Sequence, residues 1–284
     1  MSHHVTRRTF LAAGAAAAAG LATRSRLARA AEPDNKKYGG FLMGMQTYSL
    51  RGFGFDQALD YVKELGLHSV ELFDAHFPLK STAEQIDATK AKLKAAGVQA
   101  LAHGVNPFTK DHEANRRWFE FAKRAGIRNI TANPSEDSFD SLDKLVAEYD
   151  IRIAIHNHGP GAEYDKVADV LTAIKGRHPN IGACADLGHY IRSAEDPVRV
   201  INLLEGRLYG IHLKDFAEQK SQTHGVILGQ GHLDIVGVFK ALKKVNYPAD
   251  ACLALEYEEK PENPLDDIRA CLAAASEGAR KAAG

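Results

Sequence analysis

Eight short runs of this chain are dominated by β-branched, aromatic and small apolar residues, and they alternate with longer stretches in which apolar positions return every third or fourth residue. The runs are FLMGMQTYSL (41–50), HSVELFD (68–74), QALAHGV (99–105), NITANP (129–134), RIAIHNH (152–158), IGACADLGH (181–189), LYGIHLKD (208–215) and ACLALEYE (251–258). Near-continuous apolar runs of this length fit strands buried on both faces. Between them, FDQALDYVKELG (55–66) puts Ala58, Leu59, Val62 and Leu65 on one side and ends in glycine, the pattern of an amphipathic helix with a left-handed terminus. EQIDATKAKLKAAG, ANRRWFEFAKRAG and IVGVFKALKKVNY repeat it. Strand-then-helix alternation without a linker predicts an α/β fold built on a parallel sheet.

The first thirty residues break the pattern. VTRRTFLAAGAAAAAGLATRSRLARA (5–30) sets Arg7 and Arg8 ahead of an Ala-rich apolar run and closes on Ala28-Arg29-Ala30. That layout predicts a signal peptide over residues 1–30, cleaved after Ala30, with an apolar run too short to span a bilayer. Thr6-Arg7-Arg8-Thr9-Phe10-Leu11 resembles the twin-arginine export pattern. The resemblance implies passage of the folded chain through the twin-arginine machinery to the periplasm, a route often taken by proteins that first acquire a metal, and no stable membrane association after cleavage. The remaining 284 − 30 = 254 residues hold eight strand–helix units, which predicts one (β/α)8 TIM barrel over residues 31–284. A doubly wound open sheet is the rival, but no GxGxxG turn follows strand one.

Charge narrows the range of functions. With 36 acidic and 36 basic side chains there is no bulk field of the kind that binds nucleic acid by counterion release. Cys184, Cys252 and Cys271 are odd in number, and two sit inside apolar runs, so they read as small buried hydrophobes. A Cys184–Cys252 bridge is the alternative in an oxidising compartment.

In a barrel of this kind the C-terminal strand ends share one mouth, and polar residues there point to function. Strand two carries Glu71, strand three His103, strand five His156 and His158, strand six Asp186 and His189, strand seven His212 and Lys214, and strand eight Glu256. Strands five to eight are consecutive neighbours, so His156, Asp186, His212 and Glu256 can converge on one point. Two carboxylates and two neutral imidazoles suit one divalent ion, Mn²⁺, Co²⁺, Fe²⁺ or Zn²⁺, with positions left for substrate oxygens. Without it, the buried carboxylates would raise one another's pKa.

IAIHNHG, ADLGH, HLKD and LEYE, in that order, resemble the xylose-isomerase-like TIM-barrel superfamily, also labelled sugar phosphate isomerase/epimerase, over nearly the whole mature chain. The resemblance implies one divalent metal held at strand ends five to eight, with Asp186, His212 and Glu256 matching the ligand pattern, and enolisation of a sugar beside its carbonyl. The Asp186-Leu187-Gly188-His189 spacing implies that His189 contacts substrate. Strand five departs, since many relatives have Glu where this chain has His156. Ala162 replaces a substrate-side Glu of the family and Glu218 an Arg, so the two-glutamate exchange of keto-sugar 3-epimerases does not carry over. HGVILGQGHLDIVGVF (224–239) resembles the family's glycine-rich mouth loop, in which His224 and His232 read as loop residues.

The chemistry implied is that of a metal-dependent sugar isomerase or epimerase acting on a small carbohydrate. The base that removes the proton alpha to the carbonyl is His158 or Glu256. His158 lies two residues beyond His156, and Gly159 and Gly161 allow a tight turn there. Lys214, two beyond His212, either holds a substrate oxygen and protonates a leaving group or pairs with Glu256 or Asp215. Glu71 and His103 fit sugar-hydroxyl binding or hydrogen-bonded wall positions, and Gln46 and Tyr48 end strand one at the same mouth. Some relatives with this strand-five pattern are similar to lyases or hydratases of oxo-glycosides and inososes, and export favours glycosides over phosphorylated sugars. Elimination is therefore the alternative reaction, and a periplasmic sugar-binding barrel the alternative without catalysis. A multi-zinc nuclease on the same barrel needs a basic DNA-facing surface, which the charge balance does not supply.

Overall fold

A computed structural model describes residues 35–284, and the leader expected over residues 1–30 lies outside them. In chain order the strands are β1 (Met43–Gln46), β2 (Ser69–Leu72), β3 (Gln99–Phe108), β4 (Asn129–Pro134), β5 (Arg152–His156), β6 (Ile181–Asp186), β7 (Leu208–Leu213), β8 (Asp215–Phe216), β9 (Gly225–Val226) and β10 (Cys252–Leu255). All but β8 and β9 join a closed parallel barrel in which β10 pairs with both β7 and β1. The (β/α)8 barrel read from the alternation is therefore the fold. β8 and β9 form a small antiparallel hairpin past the mouth, too short to show in the apolar pattern.

The helices are α1 (Phe55–Glu64), α2 (Ala83–Ala96), α3 (His112–Ala125), α4 (Phe139–Tyr149), α5 (Val167–Ile174), the short α6 (Leu187–Arg192) and α7 (Pro197–Leu203), then α8 (Ile235–Lys244) and α9 (Leu265–Ala283). Each lays an apolar stripe on the barrel: Ala58, Leu59 and Val62 from α1, Phe119, Phe121 and Ala122 from α3, and Ile268, Cys271, Leu272 and Ala275 from α9. Burial of each large side chain stabilises the fold by about 1.5–3 kcal/mol, and Phe119→Ala would cost about 3–5 kcal/mol. α2 starts at a capping box, where Thr82 and Gln85 each accept the other's backbone N–H, and stops at Gly97 with φ 68°.

All three cysteines are free and buried, so the Cys184–Cys252 bridge is not formed. Among the described residues no helix is long and apolar enough to cross a membrane. Two strand ends are shorter than the apolar runs suggest. β5 stops at His156, leaving His158 in the turn, and β6 stops at Asp186. Asp186 becomes the N-cap of α6, its Oδ1 accepting the His189 N–H at 2.7 Å, so His189 stands on a helix and not on strand six.

Candidate metal centre and substrate pocket

Strand register decides which side chains meet. His156 is level with Cys184 across β5–β6, and Asp186, two residues on, is level with His212 of β7. His212 is level with Ala254 of β10, and Glu256 stands two residues beyond. Steps of two keep a side chain on one face, so all four point into the barrel, and the stagger of tilted strands brings them to one height. Their four ligand atoms lie within 4.8 Å of one another, and all four residues are buried. His212 Nδ1 is 3.0 Å from His156 Nε2, 3.1 Å from Glu256 Oε2 and 3.8 Å from Asp186 Oδ2.

Two carboxylates at this depth require positive charge. Lys214 Nζ lies 3.0 Å from Asp186 Oδ2, 2.8 Å from Glu256 Oε2 and 3.0 Å from Glu258 Oε1. Burial pushes the two carboxyls up, but His189, Lys214 and His156 around Asp186, and Lys214 and His212 around Glu256, hold both well below the usual carboxylate range. Burial likewise pushes Lys214 and His212 down. Asp186, Glu256 and Glu258 outweigh it at Lys214, and Cys184, Glu71 and Glu256 at His212, so both sit well above their ordinary values.

Of these close contacts, Lys214 to Glu258 and His156 to His212 are hydrogen bonds, and those to Asp186 Oδ2 and Glu256 Oε2 are Coulombic and poorly aligned. Asp186 Oδ2 and Glu256 Oε2 are buried without a well-formed hydrogen bond, while the imidazole nitrogens facing them, His156 Nε2 and His212 Nδ1, share one contact of 3.0 Å. Such atoms are costly unless something satisfies them. Two unsatisfied carboxylate oxygens facing two imidazole nitrogens at this range fit a divalent ion of borderline hardness.

Over the cluster opens a cavity of about 330 Å³, near the lower end of small-molecule sites. His156, His158, His189, Lys214, Glu256 and Glu258 line one side, and Gln46, Tyr48, Phe73, Asp74, Gly104 and Val105 the other. A larger groove of about 900 Å³ at α2 and α3 shares Asp74 and Val105 with it but none of the clustered groups. Perturbed ionisable groups, not volume, mark the functional cavity.

His158 follows the end of β5, its ring centroid 4.4 Å from that of His156, and Gly159 (φ 87°) and Gly161 (φ 84°) make the turn that leaves it exposed. Partial burial and the neighbouring His156 push it down to about 4, so it is neutral at pH 7, though solvent at the open mouth softens the shift. His189 accepts a hydrogen bond at Nδ1 from Arg192 Nη1 at 3.2 Å and stacks on Phe216. Burial pushes it down to about 3. Gly188 lets the Lys214 chain cross α6, since a Cβ there would sit 2.7 Å from Lys214 Cγ.

Of the two readings open for Glu71 and His103, sugar contact or hydrogen-bonded wall position, the geometry supports the second. His103 packs its ring against Trp118 and Phe121 of α3 and is 1% exposed. Its Nε2 bonds the Phe77 carbonyl at 2.9 Å and its Nδ1 meets Asn106 Nδ2 at 3.0 Å, so it is a wall residue on the helix side. Glu71 faces inward but is 0% exposed, with Gln46 Nε2 donating to its Oε1 at 2.9 Å and His212 Nε2 3.1 Å from its Oε2. It lies beneath the cluster and does not line the cavity. Nor does Lys214 pair with Asp215, whose carboxylate accepts the backbone N–H groups of Gly229, Gly231 and Leu233 and pins the 224–234 loop. His224 and His232 are exposed on that loop.

Sequence reasoning missed Glu258, Asp74 and Asn157. Glu258 was within reach of it, because it stands two residues past Glu256 on the same face. Asn157 accepts the Asp186 N–H at Oδ1 (2.8 Å) and donates to the Asp186 carbonyl (3.0 Å), clamping two ligand-bearing strand ends together. No periodicity announces that contact.

The sequence profile of the xylose isomerase-like TIM barrel matches residues 59–275. Among curated relatives, an inosose dehydratase of Clostridium botulinum is 29% identical over 145 residues, 45% of this chain and 48% of that protein. The chain thus matches about half the length of that relative. A 3-oxo-isoapionate decarboxylase of Pectobacterium atrosepticum is 25% identical over 228 residues, 71% of this chain and 80% of that protein. Among solved structures, an uncharacterized protein from Parabacteroides distasonis superposes with a TM-score of 0.64 at 28% identity, covering 82% of this chain and 96% of that one. With its closed barrel and with more than half its length matched by the profile, the chain belongs to the xylose isomerase-like TIM barrel family.

Proposed function

We propose that this chain is a divalent-metal-dependent lyase that removes the proton alpha to the carbonyl of a small oxo-sugar and expels an oxygen substituent from the neighbouring carbon. The observation that carries the reading is the convergence of four buried donors, His156, Asp186, His212 and Glu256, beneath a sugar-sized cavity that also exposes an ammonium and a neutral imidazole. An ion held by those four would supply Lewis acidity at the substrate carbonyl.

The chain's own groups do the rest. Lys214 and Glu256 are paired at 2.8 Å, which leaves His158 as the base facing the cavity with a free lone pair. His158 takes the C–H proton, and electron density passes toward the carbonyl oxygen. As the leaving oxygen departs, Lys214 Nζ gives it a proton. His189, steadied by Arg192, holds a substrate hydroxyl. Elimination is favoured over the epimerisation that the motifs first imply because strand five ends in His156. The paired carboxylates needed to exchange protons on both faces of a carbon are missing from that wall, with Ala162 and Glu218 where the family has its other substrate groups. Relatives named for dehydration and decarboxylation support the same reading. Export of the protein, the reading of its first thirty residues, supports an oxo-glycoside as substrate.

The test is proton NMR in D2O of metal-loaded protein with a 3-oxo-glucoside and with an inosose. The expected product is an unsaturated ketone with release of the alcohol or of water, lost on chelation. Deuterium incorporation with inversion and no release would return the reaction to epimerisation. Tight sugar binding with no turnover in any metal would make the chain a binding protein.

A further inference from the structure

The inference concerns how His212 is presented to the cluster, and it rests on the reading of that cluster as a metal site. A chain of hydrogen-bonding groups with fixed direction runs beneath it. The Tyr48 backbone N–H can only donate, and it donates to Gln46 Oε1 at 3.1 Å. That contact settles the orientation of the Gln46 amide: its Nε2 faces Glu71 and donates to Oε1 at 2.9 Å. Glu71, a carboxylate, is acceptor-only. Its other oxygen, Oε2, lies 3.1 Å from His212 Nε2. The contact is close but bent, and neither atom has another hydrogen-bond partner, so it is the one place where each can be satisfied. Cys184, also packed near His212 and Glu71, offers only a weakly hydrogen-bonding thiol.

We infer that Glu71, oriented by Gln46, is a positioning residue that keeps the His212 proton on Nε2 and so turns the Nδ1 lone pair toward His156, Asp186 and Glu256. A neutral imidazole has one donor and one acceptor nitrogen, and fixing the first selects the second. Carboxylate partners of metal-bound histidines act in this way, and their loss typically weakens metal binding about 10–100-fold.

Direction and charge can be separated. In Glu71→Gln one oxygen becomes a donor. If the amide oxygen turns to Gln46, the new N–H₂ faces His212 Nε2 and selects the wrong tautomer; if it turns to His212, two donors oppose each other. Adding Gln46→Glu repairs the chain with the same net charge. The carboxylate now at position 46 accepts from the Tyr48 N–H and from the amide now at position 71, and the oxygen of that amide accepts from His212. The swap gives up only the long 3.5 Å bond from Gln46 to the Gly104 carbonyl.

The experiment is Zn²⁺ titration of wild type, Glu71→Gln and Gln46→Glu/Glu71→Gln against a chromogenic chelator, with long-range ¹H–¹⁵N spectra of histidine-labelled, zinc-loaded protein to read the His212 tautomer. Glu71→Gln should bind about 10–100-fold more weakly, with the His212 signal shifted or broadened. The double variant should return to within about threefold of wild type with the Nε2–H tautomer restored. Equal affinity of Glu71→Gln and wild type overturns the inference, because an isostere that merely fills space would bind normally. A double variant as weak as the single overturns it as well, by showing that only nearby charge matters. Where Glu71→Gln is too unstable to purify, the double variant decides by itself. Wild type that takes up no zinc, manganese or cobalt overturns the metal reading and this inference together, whereas normal uptake with no Glu71 effect removes this inference alone.

Discussion

The two halves of the barrel wall serve one mouth in different ways. β5, β6, β7 and β10 end in or lead directly to His156, Asp186, His212 and Glu256, so that half concentrates ionisable groups at one height. The half made by β1 to β4 sends Glu71 inward below that height, turns His103 outward, and offers Gln46, Tyr48, Phe73, Asp74 and Val105 to the cavity. One half concentrates charge and reactive protons, and the other carries support, an apolar face and the single carboxylate of Asp74. Closure into a parallel ring does not by itself impose this split. It comes from which residue type stands on the inward phase of each strand.

The sharpest way to break the comparison is to remove a donor from the charged half. Asp186→Ala should abolish stoichiometric metal uptake, measured by inductively coupled plasma mass spectrometry on purified protein. The affinity loss should exceed the roughly 10–100-fold expected for a hydrogen-bond partner of a ligand. Unchanged metal content would mean that the four donors do not form a site. A smaller effect follows from metal removal itself. An ion that binds the folded chain should stabilise it by about 2.7 kcal/mol at one hundred times its Kd. The thermal midpoint should therefore climb with Zn²⁺ or Mn²⁺ concentration, and the slope should vanish in Asp186→Ala while persisting in His103→Ala.

How far each half was legible beforehand follows from the same contrast. A carboxylate or imidazole inside an apolar strand has few explanations, and four of them on consecutive strands have fewer, so the ligand half stood out. The barrel stood out because strands buried on both faces leave runs that amphipathic helices cannot imitate. Which of its two readings His103 takes is decided by something that no single strand reveals. Across β2–β3, Val70 is level with Ala100 but Glu71 with Ala102, so one residue of β3 is skipped. Without that bulge His103 would be level with Phe73, on the inward phase of Glu71. With it, His103 is level with Leu72 and faces the helices. Glu71 was read on the correct face but at the wrong depth, because alternation gives phase and not height. Glu258 and Asn157 depend on pairings between strands that a linear pattern does not contain.

The supporting half can be tested through His103 by a change in stability with no change in metal. His103→Ala removes two buried hydrogen bonds and part of the packing against Trp118 and Phe121, and should cost about 1–3 kcal/mol in denaturant unfolding while leaving metal stoichiometry intact. The effect should depend on pH. Burial lowers the His103 pKa below 6.5, despite its bond to the Phe77 carbonyl, so above 6.5 the ring is neutral in folded and unfolded chains alike. As pH falls below 6.5 the unfolded ring takes up a proton that the folded one resists, and wild-type stability declines by up to about 1.4 kcal/mol per pH unit from this group. His103→Ala lacks that term, so the gap between variant and wild type should narrow from pH 7.5 to pH 5.5. A constant gap would mean that the ring is protonated in place, and would restore it as a candidate for polar contact.

The smallest expected effect defines the floor of the comparison. Arg124 of α3 pairs with Asp87 of α2 at 2.7 Å on the outside of the same half, and both side chains are about half exposed. Such a pair is screened by solvent and must order two long side chains, so it contributes about 0.2–1 kcal/mol at most. Arg124→Ala should shift the unfolding midpoint by no more than that, and 0.5 M salt should erase most of the difference. Metal uptake should not change. If Arg124→Ala instead weakened metal binding, the helix layer behind β2 and β3 would be coupled to the donors across the barrel. The division between a charged half and a supporting half would then have to give way to a wall that acts as one piece.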